Sequence, residues 1–166
     1  MRKIILLFGL FVSFATASAQ GTLEKGEFQI NAGLGFSNWG VPIYLGADYC
    51  IMDDITVGGE ISYRSKTYQN IKYTSFGILA NGNYHFNRLL KIPSEFDVYA
   101  GASIGYYNWS HNNNSGLTFD PYYTSGLGWG LQIGGRYFFS DNFGVNLELG
   151  GGNAVAGKLG VTFVFF

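Results

Sequence analysis

Apolar and polar side chains alternate along almost the whole chain beyond residue 26. In the segment EFQINAGLGFS, residues 27–37, every second residue from Phe28 to Phe36 is apolar, and those between them are polar or glycine. A period of two places successive side chains on opposite faces of a β-strand. The pattern recurs in seven further segments, at residues 42–51, 55–64, 74–86, 96–107, 126–139, 143–151 and 157–166. The sequence therefore predicts a chain of eight β-strands, each with one apolar and one polar face.

The scarcity of charge indicates which face points inward. Charged residues make up 13% of the chain, whereas an ordinary soluble domain has about 25%. A barrel surrounded by water needs many Lys, Glu and Asp side chains on its outer face, but the polar face here is mainly Gly, Ser and Asn. We therefore expect the polar face to line the interior and the apolar face to contact lipid. The predicted fold class is all-β, an eight-stranded antiparallel up-and-down transmembrane β-barrel with a plugged lumen.

The first residues have the composition of a secretory signal peptide. Arg2 and Lys3 precede a block of apolar residues, and the small residues Ala17, Ser18 and Ala19 follow it. The apolar block is shorter than the ~20 residues of a membrane-spanning helix, although an uncleaved anchor is the alternative. The predicted domains are a signal peptide, residues 1–19, and one outer-membrane β-barrel domain, residues 20–166.

The chain ends on aromatic and apolar residues, GKLGVTFVFF. With its signal sequence, eight alternating segments and aromatic end, it resembles the small outer-membrane β-barrel proteins of diderm bacteria, the OmpA/OmpX-like and OmpW-like group. The resemblance implies an integral outer-membrane location, contact with lipid and lipopolysaccharide, and recognition by the barrel assembly machinery through Phe163, Phe165 and Phe166. In the last strand, a register with Phe163 and Phe165 facing lipid is favoured because it turns Lys158 into the lumen.

The connections between the predicted strands fall into two alternating sets, and the second set contains the longest loop. Three are at residues 52–54, 87–95 and 140–142, and the other set is at residues 38–42, 65–72, 108–124 and 152–156. In transmembrane barrels the longer loops lie outside the cell, so we expect both mature termini in the periplasm. The connection at 87–95 is long for a periplasmic turn, and Leu89 and Leu90 are candidates for a short helical turn.

Charged residues on the predicted inner face form a candidate network. Buried charges are usually paired, so we expect ion pairs inside the barrel. The candidates are Asp48, Glu60, Arg64, Asp97, Arg136, Glu148 and Lys158.

Aromatic residues near the strand ends suggest the two interfacial girdles of a membrane barrel. Those toward the outer ends are Tyr63, Tyr106, Trp109 and Trp129, and those toward the inner ends are Phe86, Phe96, Tyr137 and Phe143.

The sequence offers little for catalysis or metal binding. His85 and His111 are the only histidines; His85 is expected inside the barrel, bonded to Asn or Asp, too far from His111 to share a metal. Some barrels that resemble this one modify lipid A acyl chains with a His and a Ser two residues apart, but Asn113 occupies that position here. The adjacent carboxylates Asp53 and Asp54 lack further calcium ligands. We predict no enzyme activity, cofactor or metal site.

Function is expected in the longest loop, residues 108–124, whose aromatic, Asn and Ser residues suit a contact surface. The binding candidates are Trp109, His111, Phe119, Tyr122 and Tyr123. The favoured function is a structural or adhesin-like surface-interaction role, carried out as a monomer; the alternatives are a narrow pore or hydrophobic-solute conduit, a lipid A acyl-modifying enzyme, and a soluble periplasmic barrel. The net charge of −1 excludes a nucleic-acid partner, and the single Cys50 excludes an intrachain disulfide.

Overall fold

The computed structural model describes residues 23–37, 40–68, 71–112, 124–152 and 157–165. The predicted signal peptide and the candidates Phe119, Tyr122, Tyr123 and Phe166 lie outside these ranges. The described residues form the strands β1 (Phe28–Phe36), β2 (Ile43–Met52), β3 (Ile55–Tyr68), β4 (Ile71–His85), β5 (Phe96–Asn112), β6 (Gly126–Phe138), β7 (Phe143–Gly152) and β8 (Gly157–Phe165), with one helical turn, α1 (Asn87–Leu90). Within them, no helix is long and apolar enough to span a membrane.

Every strand pairs antiparallel with its neighbours in sequence, and β1 also pairs with β8 to close the sheet. The closing register runs from Phe28 opposite Phe165 to Phe36 opposite Gly157. Closure gives the backbone groups of both terminal strands a partner, so the sheet has no open edge. The predicted eight-stranded antiparallel up-and-down barrel is therefore confirmed.

The apolar face of the strands points outward, as the charge content indicates. In β6, Leu131 and Ile133 are 63% and 61% exposed, whereas Gln132 between them is 8% exposed. In β8, Phe163 and Phe165 are exposed while Val164 is buried, which confirms the register favoured for the last strand.

Glycines on the inner face make room for tyrosine rings. A Cβ atom at Gly77 or at Gly128 would overlap the ring of Tyr107, and one at Gly134 would overlap the ring of Tyr99. Gly77 and Gly134 lie directly opposite these tyrosines on the neighbouring strands. A ring that packs closely against a glycine backbone fills the narrow interior of a small barrel.

Strands β3, β4 and β5 are longer than predicted. The segment 65–72 is not a loop throughout, because the β3 and β4 ladder continues from Ser65 opposite Thr74 to Tyr68 opposite Ile71. Likewise β5 continues to Asn112, so the start of the predicted loop 108–124 is strand. The outward side chains of these extensions are polar, among them Ser65, Thr67, Lys72, Thr74 and Ser110. The outward positions are then no longer apolar, so the alternation that predicts a strand disappears although the pairing continues.

The helical turn expected at Leu89 and Leu90 is present as α1. The Asn87 side chain fixes it to β5, since its Oδ1 accepts from the Val98 N–H at 2.9 Å and its Nδ2 donates to the Phe96 carbonyl. Arg88 reaches from α1 to the β2–β3 turn, where its Nη2 lies 3.0 Å from Asp53 Oδ2. This hydrogen bond raises the pKa of the guanidinium above its ordinary value.

Aromatic side chains surround the end of the barrel that carries α1 and the short turns. Ring centroids of contacting pairs are 4.9 Å apart for Phe163 and Phe165, and 6.3 Å apart for Phe139 and Phe143. The other members of this aromatic belt are Phe28, Tyr84, Phe86, Phe96 and Tyr137. Because β8 pairs with β1, its two phenylalanines complete the belt at the closing seam.

Candidate functional site in the barrel lumen

Arg136 is the centre of the first cluster of charged residues in the lumen. Its Nη1 lies 2.5 Å from Asp97 Oδ2, and its Nη2 lies 3.5 Å from Asp48 Oδ2. Asp97 is its direct cross-strand partner on β5, and Asp48 belongs to β2. The guanidinium carbon also lies 4.1 Å from the centre of the Tyr99 ring. All three charged side chains are almost fully buried, so each needs its partners in place of water.

His85 extends this cluster along β4. Its Nδ1 lies 2.7 Å from Asp97 Oδ1, and its Nε2 lies 3.1 Å from Thr56 Oγ1. The expectation of a lumen histidine bonded to a carboxylate or amide is met. An Asp–His–Thr row has the order of a nucleophilic triad, but the Thr56 side chain is fully buried and also accepts a bond from Asn83 Nδ2 at 3.5 Å. A substrate cannot approach that hydroxyl, so the arrangement is a structural network.

Amide side chains tie the charges together. Asp48 accepts from Asn81 Nδ2 at 2.7 Å through Oδ1 and from Asn31 Nδ2 at 2.8 Å through Oδ2. Across the lumen, Gln132 Nε2 donates to Asn83 Oδ1 at 3.0 Å. These amides are not among the lumen residues predicted from the sequence. They lie on the same face of the strands as the charged residues, and the alternating pattern that selects the charges also selects these amides.

Lys158 forms the second cluster. Its Nζ lies 2.7 Å from Glu60 Oε2 and 2.8 Å from Glu148 Oε1. Glu148 is its register partner on β7, whereas Glu60 comes from β3, which is separated from β8 by β1 and β2. The pair with Glu60 therefore reaches across the lumen. Tyr99 donates its hydroxyl to Glu148 Oε2 at 3.0 Å and so connects this cluster to the first.

Arg64 is placed differently from the other six lumen candidates. In the described part of the chain no carboxylate lies within 4.0 Å of it. Its guanidinium carbon lies 4.9 Å from the centre of the Trp109 ring and 5.4 Å from that of Tyr107, and its Nη1 donates to Ser37 Oγ at 3.3 Å. Aromatic faces attract the cation in place of a counter-ion.

The position of Trp109 in β5 corrects two expectations about this residue. Trp109 and His111 lie in β5, not in a loop. Trp109 shares the inner face with Tyr107, so it does not belong to the outer aromatic girdle, unlike Tyr63 and Tyr106, which are exposed on the outer face. The strand continues without a break from the predicted segment, so its parity holds through Trp109.

A small cavity separates the two clusters. Its volume is about 40 Å³, and its lining includes Asp48, Glu60, Arg136, Glu148 and Lys158. A buried water needs about 10–15 Å³ of such volume, so there is room for a few waters or one small ion. Among the described residues, no group of three or more His, Cys, Asp or Glu side chains is placed to hold a metal ion.

Comparison with known proteins identifies the fold. No family model matches the sequence, and no curated protein matches it. The N-terminal β-barrel domain of Pseudomonas aeruginosa OprF is 20% identical, with a TM-score of 0.60 over 86% of this chain and 100% of that one. The P. aeruginosa outer membrane protein OprG is 11% identical, with a TM-score of 0.63 over 89% and 99% of the two chains.

A third solved structure is Ail, the attachment invasion locus protein of Yersinia pestis, in complex with the heparin analogue sucrose octasulfate. It is 14% identical, with a TM-score of 0.56 over 85% of this chain and 99% of that one. At these identities the likeness concerns the fold, which spans nearly the full length of each compared chain. The protein has the fold of the small eight-stranded bacterial outer-membrane β-barrels.

Proposed function

We propose that the protein is an integral outer-membrane β-barrel with a non-enzymatic role, structural or adhesin-like, carried out at the end opposite the short turns. The observation that carries the membrane assignment is the outer surface of the closed barrel. Large apolar side chains are exposed on every strand, for example Leu45, Ile78, Leu127, Leu149 and Leu159. Soluble monomers rarely expose apolar patches beyond a few hundred Å², whereas lipid covers such a band without penalty.

The unequal strand lengths support an orientation. β5 has 17 residues and β8 has 9, a difference of roughly 25 Å along the strand at about 3.3 Å per residue. The aromatic belt marks one interface, and the polar extensions of β3, β4 and β5 lie beyond the opposite one. We place the short turns and both mature termini in the periplasm and the extensions outside the cell, as in other barrels.

The surface-interaction role is proposed for this outer end. Trp109 and His111 lie in the extended part of β5, and the sequence that follows carries the candidates Phe119, Tyr122 and Tyr123. Ail, one of the proteins of similar fold, is named for attachment and invasion and was solved with a heparin analogue. By analogy we propose that this chain contacts lipopolysaccharide or an external partner through its outer end, as a monomer, and that Phe163, Phe165 and Phe166 serve barrel assembly.

The contents of the lumen favour this role over a conduit. Ion pairs join opposite walls through Lys158 and Glu60, and the cavity between the clusters has a volume of only about 40 Å³. We infer that these contacts leave no path for a solute larger than a few waters at that level of the barrel. We propose that the lumen is plugged, so that purified protein in planar bilayers gives no stable conductance steps; reproducible steps would favour the pore.

The membrane assignment is tested by electrophoretic mobility. The outer-membrane fraction is extracted in cold detergent and run with and without boiling. We expect a folded form that changes mobility on heating. Recovery of the protein in the soluble periplasm without detergent, with no heat-dependent shift, would mean a soluble barrel and would overturn the assignment.

The surface role has a separate test in intact cells. Residues 113–123 are replaced by a Gly-Ser linker of equal length, and cells are assayed for attachment to a heparin-coated surface. We expect attachment to fall to the level of cells that lack the protein, while the heat-dependent mobility shift stays unchanged. If cells with the correctly assembled linker variant attach as well as cells with the wild-type protein, the segment has no role in binding heparin-like partners.

A further inference from the structure

Residues 23–27 precede β1 and form a short strap at the end of the barrel that carries α1. The Gly26 N–H donates to the Cys50 carbonyl at 2.9 Å, and the Cys50 N–H donates to the Glu27 carbonyl at 3.0 Å. These two bonds attach the strap to the end of β2. We propose that the strap is a lid, which closes the lumen at the α1 end through the side chain of Leu23.

A tight turn in the strap directs Leu23 back toward the barrel. The Glu27 N–H donates to the Glu24 carbonyl at 3.1 Å, and the Glu27 carboxylate accepts from the Glu24 N–H at 2.7 Å. Gly26 has a φ of +100°, a conformation that residues with a side chain rarely adopt. The turn leaves Glu24 and Lys25 exposed. Leu23, by contrast, is only 4% exposed.

Leu23 belongs to an apolar cluster that spans the lumen. The other members are Cys50 of β2, Phe138 of β6 and Val164 of β8, all at most 2% exposed. In a closed barrel of eight strands, β2 and β6 are four strands apart in either direction, so their inward side chains come from opposite walls. A cluster that joins opposite walls closes the cross-section of the lumen. Of its four members, Leu23 alone lies outside the strands and can leave without unzipping the sheet.

An open hollow lies on the other side of Leu23. Its volume is about 740 Å³, and Leu23 is part of its lining. Charged side chains line the rest, among them Glu24, Asp53, Arg88 and Lys91. Leu23 therefore separates this polar hollow from the apolar cluster, and Cys50 Sγ lies 3.6 Å from the Leu23 carbonyl oxygen. Opening of the lid would expose the Cys50 thiol while the ion pairs deeper in the lumen stay in place.

The lid is tested through the reactivity of Cys50, the single cysteine of the chain. Purified protein in detergent micelles is treated with a charged methanethiosulfonate reagent, and the rate of modification is measured by mass spectrometry. Leu23→Ala shortens the side chain that closes the lumen, so we expect the rate to rise about tenfold or more. Leu89→Ala truncates a leucine that is 66% exposed at the same end and should keep the wild-type rate. Equal rates in wild type and Leu23→Ala would overturn the proposal.

A second variant loosens the turn and leaves Leu23 in place. Apart from its chain neighbours, no atom lies within 4 Å of the position of a Cβ at Gly26, so Gly26→Ala creates no clash. Its φ of +100° is nevertheless strained for alanine, and we expect faster modification of Cys50. Gly151→Ala also adds a methyl group in open space, but without a positive φ, and should keep the wild-type rate. A wild-type rate in Gly26→Ala would refute the turn as the element that holds the lid closed.

A measurement on the unmodified protein covers the case in which Leu23→Ala does not fold. In nuclear magnetic resonance spectra of the protein in micelles, we expect Overhauser contacts from the Leu23 methyl groups to Cys50, Phe138 or Val164, and slow hydrogen exchange of the Gly26 amide. Leu23 methyl groups without contact to any of the three, or exchange of the Gly26 amide at the rate of an unfolded chain, would overturn the proposal. These readouts do not depend on attachment to heparin or on the direction of insertion, so the surface role and the lid can fail separately.

Discussion

Replacing Arg136 by methionine is expected to destabilise the barrel strongly. Arg136→Met keeps an unbranched side chain about as long as the aliphatic stem of arginine and removes the charged guanidinium. In the native protein the guanidinium lies 2.5 Å from Asp97 and 3.5 Å from Asp48, and Arg136 is 4% exposed. The variant leaves two buried carboxylates without their shared counter-ion. Breaking a buried ion pair in this way costs about 3–5 kcal/mol, and we expect the free energy of unfolding to fall by that amount.

A double-mutant cycle separates the ion pair from simple loss of packing. Unfolding in urea is followed in lipid vesicles by tryptophan fluorescence and by the mobility of unboiled samples. Asp97→Asn alone leaves Arg136 with Asp48 as its remaining carboxylate and also weakens the contact with His85. The double variant removes both charged partners, so its loss should be smaller than the sum of the two single losses by about 1–3 kcal/mol.

The surface provides a matched control. Arg88 lies 3.0 Å from Asp53, but its side chain is 62% exposed, so water and salt screen the pair. Arg88→Met should therefore unfold almost as the wild type does. The reasoning is refuted if Arg136→Met is as mild as Arg88→Met, or if the two substitutions in the cycle are strictly additive.

Three further outcomes are expected. Leu131→Lys places a charge on the lipid face and should reduce the free energy of unfolding, measured by urea titration in vesicles, by about 2–4 kcal/mol. Gly134→Ala forces a methyl group into the tyrosine ring that covers it, at about 1–3 kcal/mol, whereas Gly82→Ala has no atom nearer than 3.9 Å and should be mild; both are measured by urea unfolding. On intact cells a membrane-impermeant maleimide should label Ser110→Cys at the outer end of β5 but not Asp141→Cys in a periplasmic turn. The native Cys50 thiol is buried and should give little background. The reverse pattern would invert the proposed orientation.

The strands and their faces could be predicted from the sequence because lipid and lumen impose opposite demands on neighbouring residues. Ile133 and Gln132 of β6 show this, with one exposed and the next buried. The alternation of apolar and polar residues disappears where the outward side chains of the barrel are polar. Ser65 and Thr74 pair across β3 and β4 but present polar groups outward, so the sequence pattern predicts a loop there. The pattern misplaces the strand ends wherever the outward residues cease to be apolar.

The site could be predicted only in part, for a related reason. A charged side chain on the inner face, such as Lys158, is buried and therefore needs a partner, whichever strands lie opposite it. The identity of the partner depends on geometry across the lumen, which places Glu60 of β3 against Lys158 of β8. Arg64 has aromatic partners instead of a carboxylate, and a count of opposite charges does not reveal that choice.

The ion pairs also help to fix the register of the strands. Arg136 and Asp97 lie directly opposite each other, as do Lys158 and Glu148. A slip of one residue turns every side chain of a strand to the other face, so a shifted β6 would turn Arg136 toward lipid beside the aromatic belt, where a charge costs about 1 kcal/mol or less, and would leave Asp97 without its main partner. Apolar outer residues distinguish poorly between registers that differ by two, because lipid accepts them all. The lumen ion pairs also distinguish registers that differ by two residues, because such a shift separates the paired side chains. The polar side chains therefore help to specify the fold as well as fill the lumen.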